Sequence, residues 1–521
     1  MNEPRRWLGL GPVFAPGPVW MVLACIVAAV LAGWRLGDPG LWCDEIYTAR
    51  WMRLDLPALI ATLRSDLHPP LYFLLESFVV RWVGDSESGL RLLSLLSGIA
   101  TIPATYWAFR PVLNERLCAA TAWMLALCPQ FFLYARMGRY YAFAALLAVL
   151  AHGLFVRLAV KRGGPRSWLL YGLSVAALLY TSYVAVCLVL AHFVWALAAQ
   201  RRRPRLWKAW IAAAGGGFVL FLPWLLALVQ QVKQAQGLLP SVITGPTGLA
   251  LMLAFDLQAL TATELQAPWT AAGIAGLVGG SALLALGALA AVRRGLGRSV
   301  LVPALTALAL AWIVIGTLAH ATPFVGLPAR TLFMWPFAAV VLAIAALDPV
   351  YPRLLRIALT GALLIAWTSG WVNLHRAEGW MNPIYLTPGR EVAADLGPRL
   401  QAGDGVLAED DTGVPYYLFE RGRPGIPFGD PVIEASTLAM LSDPRISRIW
   451  FVRLSRDGSQ RVRGGHQVEK RLARWGTLDH EQGWLPIDPT YQALKRRLTG
   501  MPGYDHRIVV QRWVRRDASA D

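Results

Sequence analysis

Asp44 and Glu45 stand side by side in the run Leu41-Trp42-Cys43-Asp44-Glu45-Ile46-Tyr47. His68 follows in His68-Pro69-Pro70-Leu71-Tyr72, and two arginines in Arg136-Met137-Gly138-Arg139-Tyr140-Tyr141. A carboxylate can take the proton of an attacking hydroxyl, and a guanidinium grips phosphate oxygens with two parallel hydrogen bonds. This set of side chains suits acid–base chemistry on a phosphate-bearing substrate. Each has a plainer reading as well. Asp44 and Glu45 suit the first turn of a helix, a role compatible with acting as a base. His68 could cap or pack at a helix opened by two prolines. Arg136 and Arg139 could reach lipid headgroups, and Arg330, at the start of a later span, shares both readings. One histidine near one acidic pair is not a metal site by spacing alone.

The elements that must position these residues are written in the hydropathy. The chain has 521 residues, of which 56% are hydrophobic and only 16% charged. That balance describes a polytopic helical membrane protein with a polar C-terminal part. Eleven apolar segments can be drawn, at about 17–36, 90–109, 117–134, 140–159, 167–182, 184–200, 208–228, 268–291, 299–319, 330–347 and 354–372. Every second connection is basic: Arg110/Arg116, Lys161/Arg162/Arg166, Arg201-Arg202-Arg203/Arg205/Lys208, Arg293/Arg294/Arg298 and Arg353/Arg356. Charges are costly at mid-bilayer and basic residues gather on the cytoplasmic side. The same rule accounts for the net charge of +17 without nucleic acid. The first segment follows Arg5 and Arg6, and Trp34-Arg35 stands where a small-residue cleavage site would be, so it reads as an uncleaved anchor with a cytoplasmic N-terminus. Asp44, Glu45, His68, Arg136 and Arg139 then fall on the opposite, outer face, as does the polar C-terminus.

Residues 37–90 form a long outer loop with helical stretches at about 44–53, 55–64 and 70–84. The last holds Glu76 and Arg81, and its length of roughly 22 Å is short of a core of about 30 Å. It is expected in the interface. The outer connection 229–267 contains the apolar run Leu249–Phe255, read as an interfacial helix or lid. From 373 to 521 the composition changes. Short apolar runs at Val406–Ala408, Arg448–Leu454 and Arg507–Val514 read as strands, with helices at Pro415–Arg421 and Ala435–Ser442 between them. This predicts a small α/β domain outside the membrane. The five cysteines form neither a disulfide framework nor a zinc spacing.

Taken together, Asp44-Glu45, His68-Pro69-Pro70-Leu71-Tyr72, Gly84 with Glu87 and Arg91, and Tyr134-Ala135-Arg136 with Arg139-Tyr140 resemble the bacterial branch of the GT-C membrane glycosyltransferases. That branch is related to the protein O-mannosyltransferases and the lipid A aminoarabinose transferases. The resemblance is good over roughly 15–200 and looser beyond.

The resemblance implies a transmembrane catalytic domain over 1–372 and an extracytoplasmic α/β domain over 373–521, in a bacterial inner membrane. It implies an inverting transfer from a polyprenyl-phosphate sugar to a glycan, lipid or protein acceptor. Asp44 would be the base with Glu45 as its partner, while His68, Arg136, Arg139, Tyr140 and Arg330 would hold the donor phosphate or substrate. Some relatives carry a second acid in the loop of Arg136, where this chain has only Arg, Gly and Tyr. No cofactor is expected, and a divalent metal stays an alternative. Two other classes stand beside this reading, a transporter or lipid flippase and a non-catalytic envelope scaffold. A transporter would call for polar or broken helices at mid-membrane, often in repeated halves; the sequence shows few buried charges and no repeat.

Overall fold

The computed structural model describes residues 17–161, 164–201, 204–238, 245–318, 327–422, 425–456, 465–484, 497 and 504–516. The expected outer run His320–Phe324 lies outside them, as do Arg5, Arg6, Arg162, Arg202 and Arg203. The chain divides into two compact units. One comprises residues up to Leu36 and Trp51–Glu378; the other joins Gly37–Arg50 to Gly379–Asp521. Residues 37–50, read from the sequence as part of the first domain, are therefore grouped with the C-terminal residues.

The first unit is helical. Among the described residues, five helices are long and apolar enough to cross a membrane: Glu87–Phe109, Tyr141–Ala159, Pro204–Lys233, Ala271–Arg293 and Arg353–Arg376. A sixth crossing arises if the bent pair Glu115–Ala126 and Pro129–Ala135 is one span. Gly17–Gly33, Cys187–Ala198, Val302–Trp312 and Leu332–Leu347 are apolar but shorter.

The segment drawn at 117–134 is not one straight helix but two, meeting at 62°. Pro129 is the cause. It disfavours helical geometry at Cys128, which is extended at φ −75°, ψ 104°. The segment drawn at 330–347 is divided too. A short helix Leu327–Arg330 is followed by a 3-10 turn, and the apolar helix Trp335–Leu347 starts afresh with Pro336 in its first turn. The helices expected within residues 37–90 form at Cys43–Met52, Leu56–Ser65 and Leu71–Val83. Asp55 caps the second, accepting the Ala58 N–H at 2.8 Å.

The second unit contains a five-stranded sheet: β1 Asp404–Ala408, β2 Phe428–Gly429, β3 Arg448–Arg456, β4 Gly476–Trp484 and β5 Tyr504–Arg515. Their order is β2-β1-β3-β5-β4. β1 runs parallel to β2 and β3, while β5 is antiparallel to β3 and β4. Alternate residues of β3 feed two cores. Trp450, Val452 and Leu454 pack with Val392, Leu396 and Val406, whereas Ile449 and Phe451 pack with Leu407, Leu472 and Trp513. Period-two alternation of apolar residues on both faces calls for a sheet covered on both sides.

Candidate active site

The first unit brings together three of the expected residues. His68 lies between the Leu56–Ser65 and Leu71–Val83 helices. Pro69 and Pro70 fix the start of the second helix, and the Leu71 N–H donates to the Tyr180 carbonyl at 2.8 Å. Arg139 Nη2 donates to His68 Nε2 at 2.8 Å. On the other side of the ring, His68 Nδ1 bonds the carboxylate of Asp66. A guanidinium can only donate, so Nε2 must accept and Nδ1 must carry the proton. The geometry calls for the neutral ring. His68 thus links a carboxylate to a buried cation.

Arg139 is 1% exposed. Its guanidinium carbon lies 5.5 Å from the centre of the Phe73 ring, and the Tyr140 ring lies 5.5 Å from that of His68, tilted by 59°. The backbone is held as firmly as the side chain. Ser94 Oγ donates to the Arg139 carbonyl at 2.7 Å, so the Tyr72 hydroxyl, 2.7 Å away, donates to Ser94. Gly138 is required by closeness, because a Cβ there would lie 2.7 Å from the Leu90 carbonyl oxygen. Burial works to raise the Asp66 pKa. The His68 hydrogen bond and the charge of Arg139 hold the carboxyl below its ordinary value.

Arg136, three residues from Arg139, has a different environment. Its Nη1 donates to the carbonyls of Ala32 at 3.0 Å and Trp34 at 2.8 Å, and its Nη2 to that of Arg35 at 2.8 Å. These groups close the C-terminal end of Gly17–Gly33, where helix carbonyls lack intrahelical partners and a cation is favoured. Arg136 is a buried cap of that helix. Arg330 is half-buried at the end of Leu327–Arg330 and takes no part in the His68–Arg139 cluster among the described residues.

A buried carboxylate that the motif reading passed over also belongs to this unit. Glu264 accepts Gln130 Nε2 at 2.5 Å and the Tyr134 hydroxyl, and its own N–H donates to Gln130 Oε1 at 2.6 Å. Gln130 and Tyr134 lie on Pro129–Ala135, the short helix that leads into Arg136 and Arg139. A signal existed: between Glu115 and Asp348 the sequence holds only two acids, Asp256 and Glu264. Asp256 accepts Trp312 Nε1 at 2.7 Å and Thr331 Oγ1 at 3.0 Å, at the edge of an apolar cavity of about 360 Å³.

Asp44 and Glu45 belong to the second unit, on Cys43–Met52. Glu45 is fully buried and accepts the Trp42 N–H at 3.4 Å, the backward reach of a capping box. Asp44, half-buried in the first turn, has its carbonyl bonded by Thr48 Oγ1 at 3.0 Å. Among the described residues no three His, Cys, Asp or Glu side chains gather as a metal would need.

Residues 67–226 match the family described as dolichyl-phosphate-mannose-protein mannosyltransferase. The matched part contains His68, Arg136, Arg139 and Tyr140. The chain also superposes on ArnT from Cupriavidus metallidurans in the apo state, with a TM-score of 0.59 at 14% identity, covering 95% of this chain and 98% of that one. The fold is that of ArnT. The same ArnT bound to undecaprenyl phosphate gives a TM-score of 0.58 at 13% identity with the same coverage. The Archaeoglobus fulgidus oligosaccharyltransferase in the apo form is a looser likeness, with a TM-score of 0.49 over 84% of this chain and 69% of that one, at 13% identity. No curated protein matches the chain. The family match over residues 67–226 and the ArnT-like fold agree on a membrane glycosyltransferase, as the sequence resemblance implied.

Proposed function

We propose that this chain transfers a sugar from a polyprenyl-phosphate donor to an acceptor outside the cytoplasm, with inversion at the anomeric carbon. Arg139 is the donor-phosphate residue in this reading, oriented by His68 and Asp66. Asp44 is the base. The acceptor oxygen bonds to C1 as the bond from C1 to the phosphate oxygen breaks, and the acceptor proton passes to the Asp44 carboxylate. Negative charge grows on the departing lipid phosphate, where a pre-oriented guanidinium in a water-poor pocket acts most strongly. The sugar passes through oxocarbenium character, and a single displacement inverts it. Eleven spans, an N-terminus in the cytoplasm and an extracytoplasmic C-terminal unit complete the reading, placed in a bacterial inner membrane.

The observation that carries this reading is the buried Arg139 locked to a neutral His68, within the segment that matches a family named for transfer of mannose from dolichyl phosphate. Support also comes from the ArnT fold, since ArnT itself has been solved with undecaprenyl phosphate bound. The test is transfer from synthetic polyprenyl-phosphate sugars by purified protein in detergent or nanodiscs. Asp44→Asn is expected to lose about 10²–10⁴-fold in turnover while still binding the lipid phosphate. Full turnover in Asp44→Asn would remove Asp44 as the base.

A further inference from the structure

Residues 37–50 are bound along their whole length to side chains that follow them by more than 340 positions. Arg390 Nη1 donates to the Gly37 carbonyl at 3.1 Å and its Nη2 to Asp38 Oδ1 at 2.6 Å. The Leu41 N–H donates to the Tyr417 hydroxyl at 2.7 Å. Trp42 meets Tyr385 edge to face at 4.9 Å between ring centres. Cys43 Sγ donates to Asp411 Oδ1 at 3.4 Å, and the Tyr47 hydroxyl to Asp410 Oδ2 at 3.3 Å. Arg50 closes the series. It grips both oxygens of Asp410 at 2.7 and 2.6 Å and reaches Glu420 through Nε at 2.8 Å.

Cys43, Ile46, Tyr47 and Arg50 recur at three- and four-residue spacing and so share one face of Cys43–Met52. That face is seated on the 410–420 segment. Gly413, at φ 71°, is in the left-handed region that favours glycine, and a Cβ there would lie 2.9 Å from Ile46 Cδ1, which would have to shift. Asp44 is one residue past Cys43, about 100° around the helix from the seated face. A fork-to-fork pair such as Arg50–Asp410 fixes direction as well as distance. Rotation of this helix about its axis is therefore set by the C-terminal unit.

We infer that the C-terminal unit is the frame that aims Asp44, and that Arg50, Asp410 and Glu420 are positioning residues for the transfer reaction. This inference rests on the reading of Asp44 as the base. It assigns the C-terminal unit a part in turnover, separate from any part in choosing the acceptor. Misplacing a catalytic group by about 1 Å can cost roughly 100-fold in rate. The donor lipid is held by other residues and should bind as before.

The experiment compares Arg50→Ala, Asp410→Asn and Arg50→Lys with Asp44→Asn in full-length protein, measuring turnover, donor KM and binding of the polyprenyl phosphate itself. The inference expects turnover to fall about 10–100-fold in Arg50→Ala and Asp410→Asn, with donor KM and lipid-phosphate affinity within about twofold of the wild type. Arg50→Lys keeps one charged bond and should recover part of the turnover. A merely structural role would lower donor binding and turnover together, which would overturn the inference. Wild-type turnover in Arg50→Ala beside an inactive Asp44→Asn would overturn it while leaving Asp44 as the base. An active Asp44→Asn would overturn both, and would locate the fault in the base.

Discussion

Arg139 Nη2 sits 2.8 Å from His68 Nε2, although 71 positions separate the two in sequence. A fully buried guanidinium that gives one N–H to a neutral imidazole keeps its full charge. The same ring bonds the Asp66 carboxylate through Nδ1, so the imidazole that orients Arg139 is itself held from its far side. Arg139→Ala should raise donor KM by about 10–100-fold, the loss of one or two charge-assisted hydrogen bonds. His68→Ala, which removes only the orienting group, should have the same sign and a smaller size. Initial rates against donor concentration give both numbers.

Arg136 should behave oppositely. Three of its hydrogen bonds go to the carbonyls that end Gly17–Gly33, so Arg136→Ala should cost about 1–2 kcal/mol of stability and leave donor KM unchanged. Thermal unfolding of the purified protein beside donor kinetics separates the two arginines. A donor KM raised as far as in Arg139→Ala would show that Arg136 also meets the phosphate.

Glu264 anchors the helix that leads into both arginines. Glu264→Ala leaves Gln130 and Tyr134 buried without their acceptor, an expected loss of about 1–3 kcal/mol for each stranded group. Tyr134→Phe removes one bond and leaves the carboxylate the other, so its cost should be the smaller. Melting temperatures of the two variants test the order.

Arg294 and Asp348 form a fork-to-fork pair at 2.5 Å, and the Asp348 side chain is 1% exposed. Arg294→Ala leaves that carboxylate buried without its cation and should destabilise the protein by about 3–5 kcal/mol. Replacing both residues with apolar ones of similar size should cost far less. The comparison is a pair of unfolding curves.

The Arg50–Asp410 pair that seats Cys43–Met52 has a pH window. The Asp410 carboxyl is held below its ordinary value of 3.8, chiefly by the Arg50 hydrogen bond, with burial opposing and the Arg50 charge and Tyr47 adding. A depressed carboxylate contributes stability that is complete above its unfolded pKa and is lost as pH falls through the folded one. The stability gap between wild type and Asp410→Asn should therefore be constant from neutral pH down to about 4 and close below it. Unfolding temperatures measured from pH 7 to pH 3 follow that gap.

Much of this architecture is local and could be read in advance. The helices at Cys43–Met52, Leu56–Ser65 and Leu71–Val83 follow from caps, prolines and hydropathy, and the runs expected as strands at Val406–Ala408, Arg448–Leu454 and Arg507–Val514 lie inside β1, β3 and β5. The break at Cys128 was legible in Pro129 but was passed over, because the apolar run continues through it. Glu264 was legible as a rare acid in an apolar stretch. Its partners were not, since Gln130 and Tyr134 are more than 120 positions away.

The sequence by itself determined which segments are apolar, where three of the five strands, β1, β3 and β5, run, and which side chains could do chemistry; β2 and β4 were not legible in it. Hydropathy, capping and turn chemistry act over a few residues, so they are written in the order of the chain. Tertiary structure alone decided that Arg139 faces an imidazole while Arg136 closes a helix, and that residues 37–50 are bound to the 385–420 region. Two arginines three positions apart have the same charge and reach. What distinguishes them is which distant acceptor each one meets, and only the folded backbone brings those acceptors near.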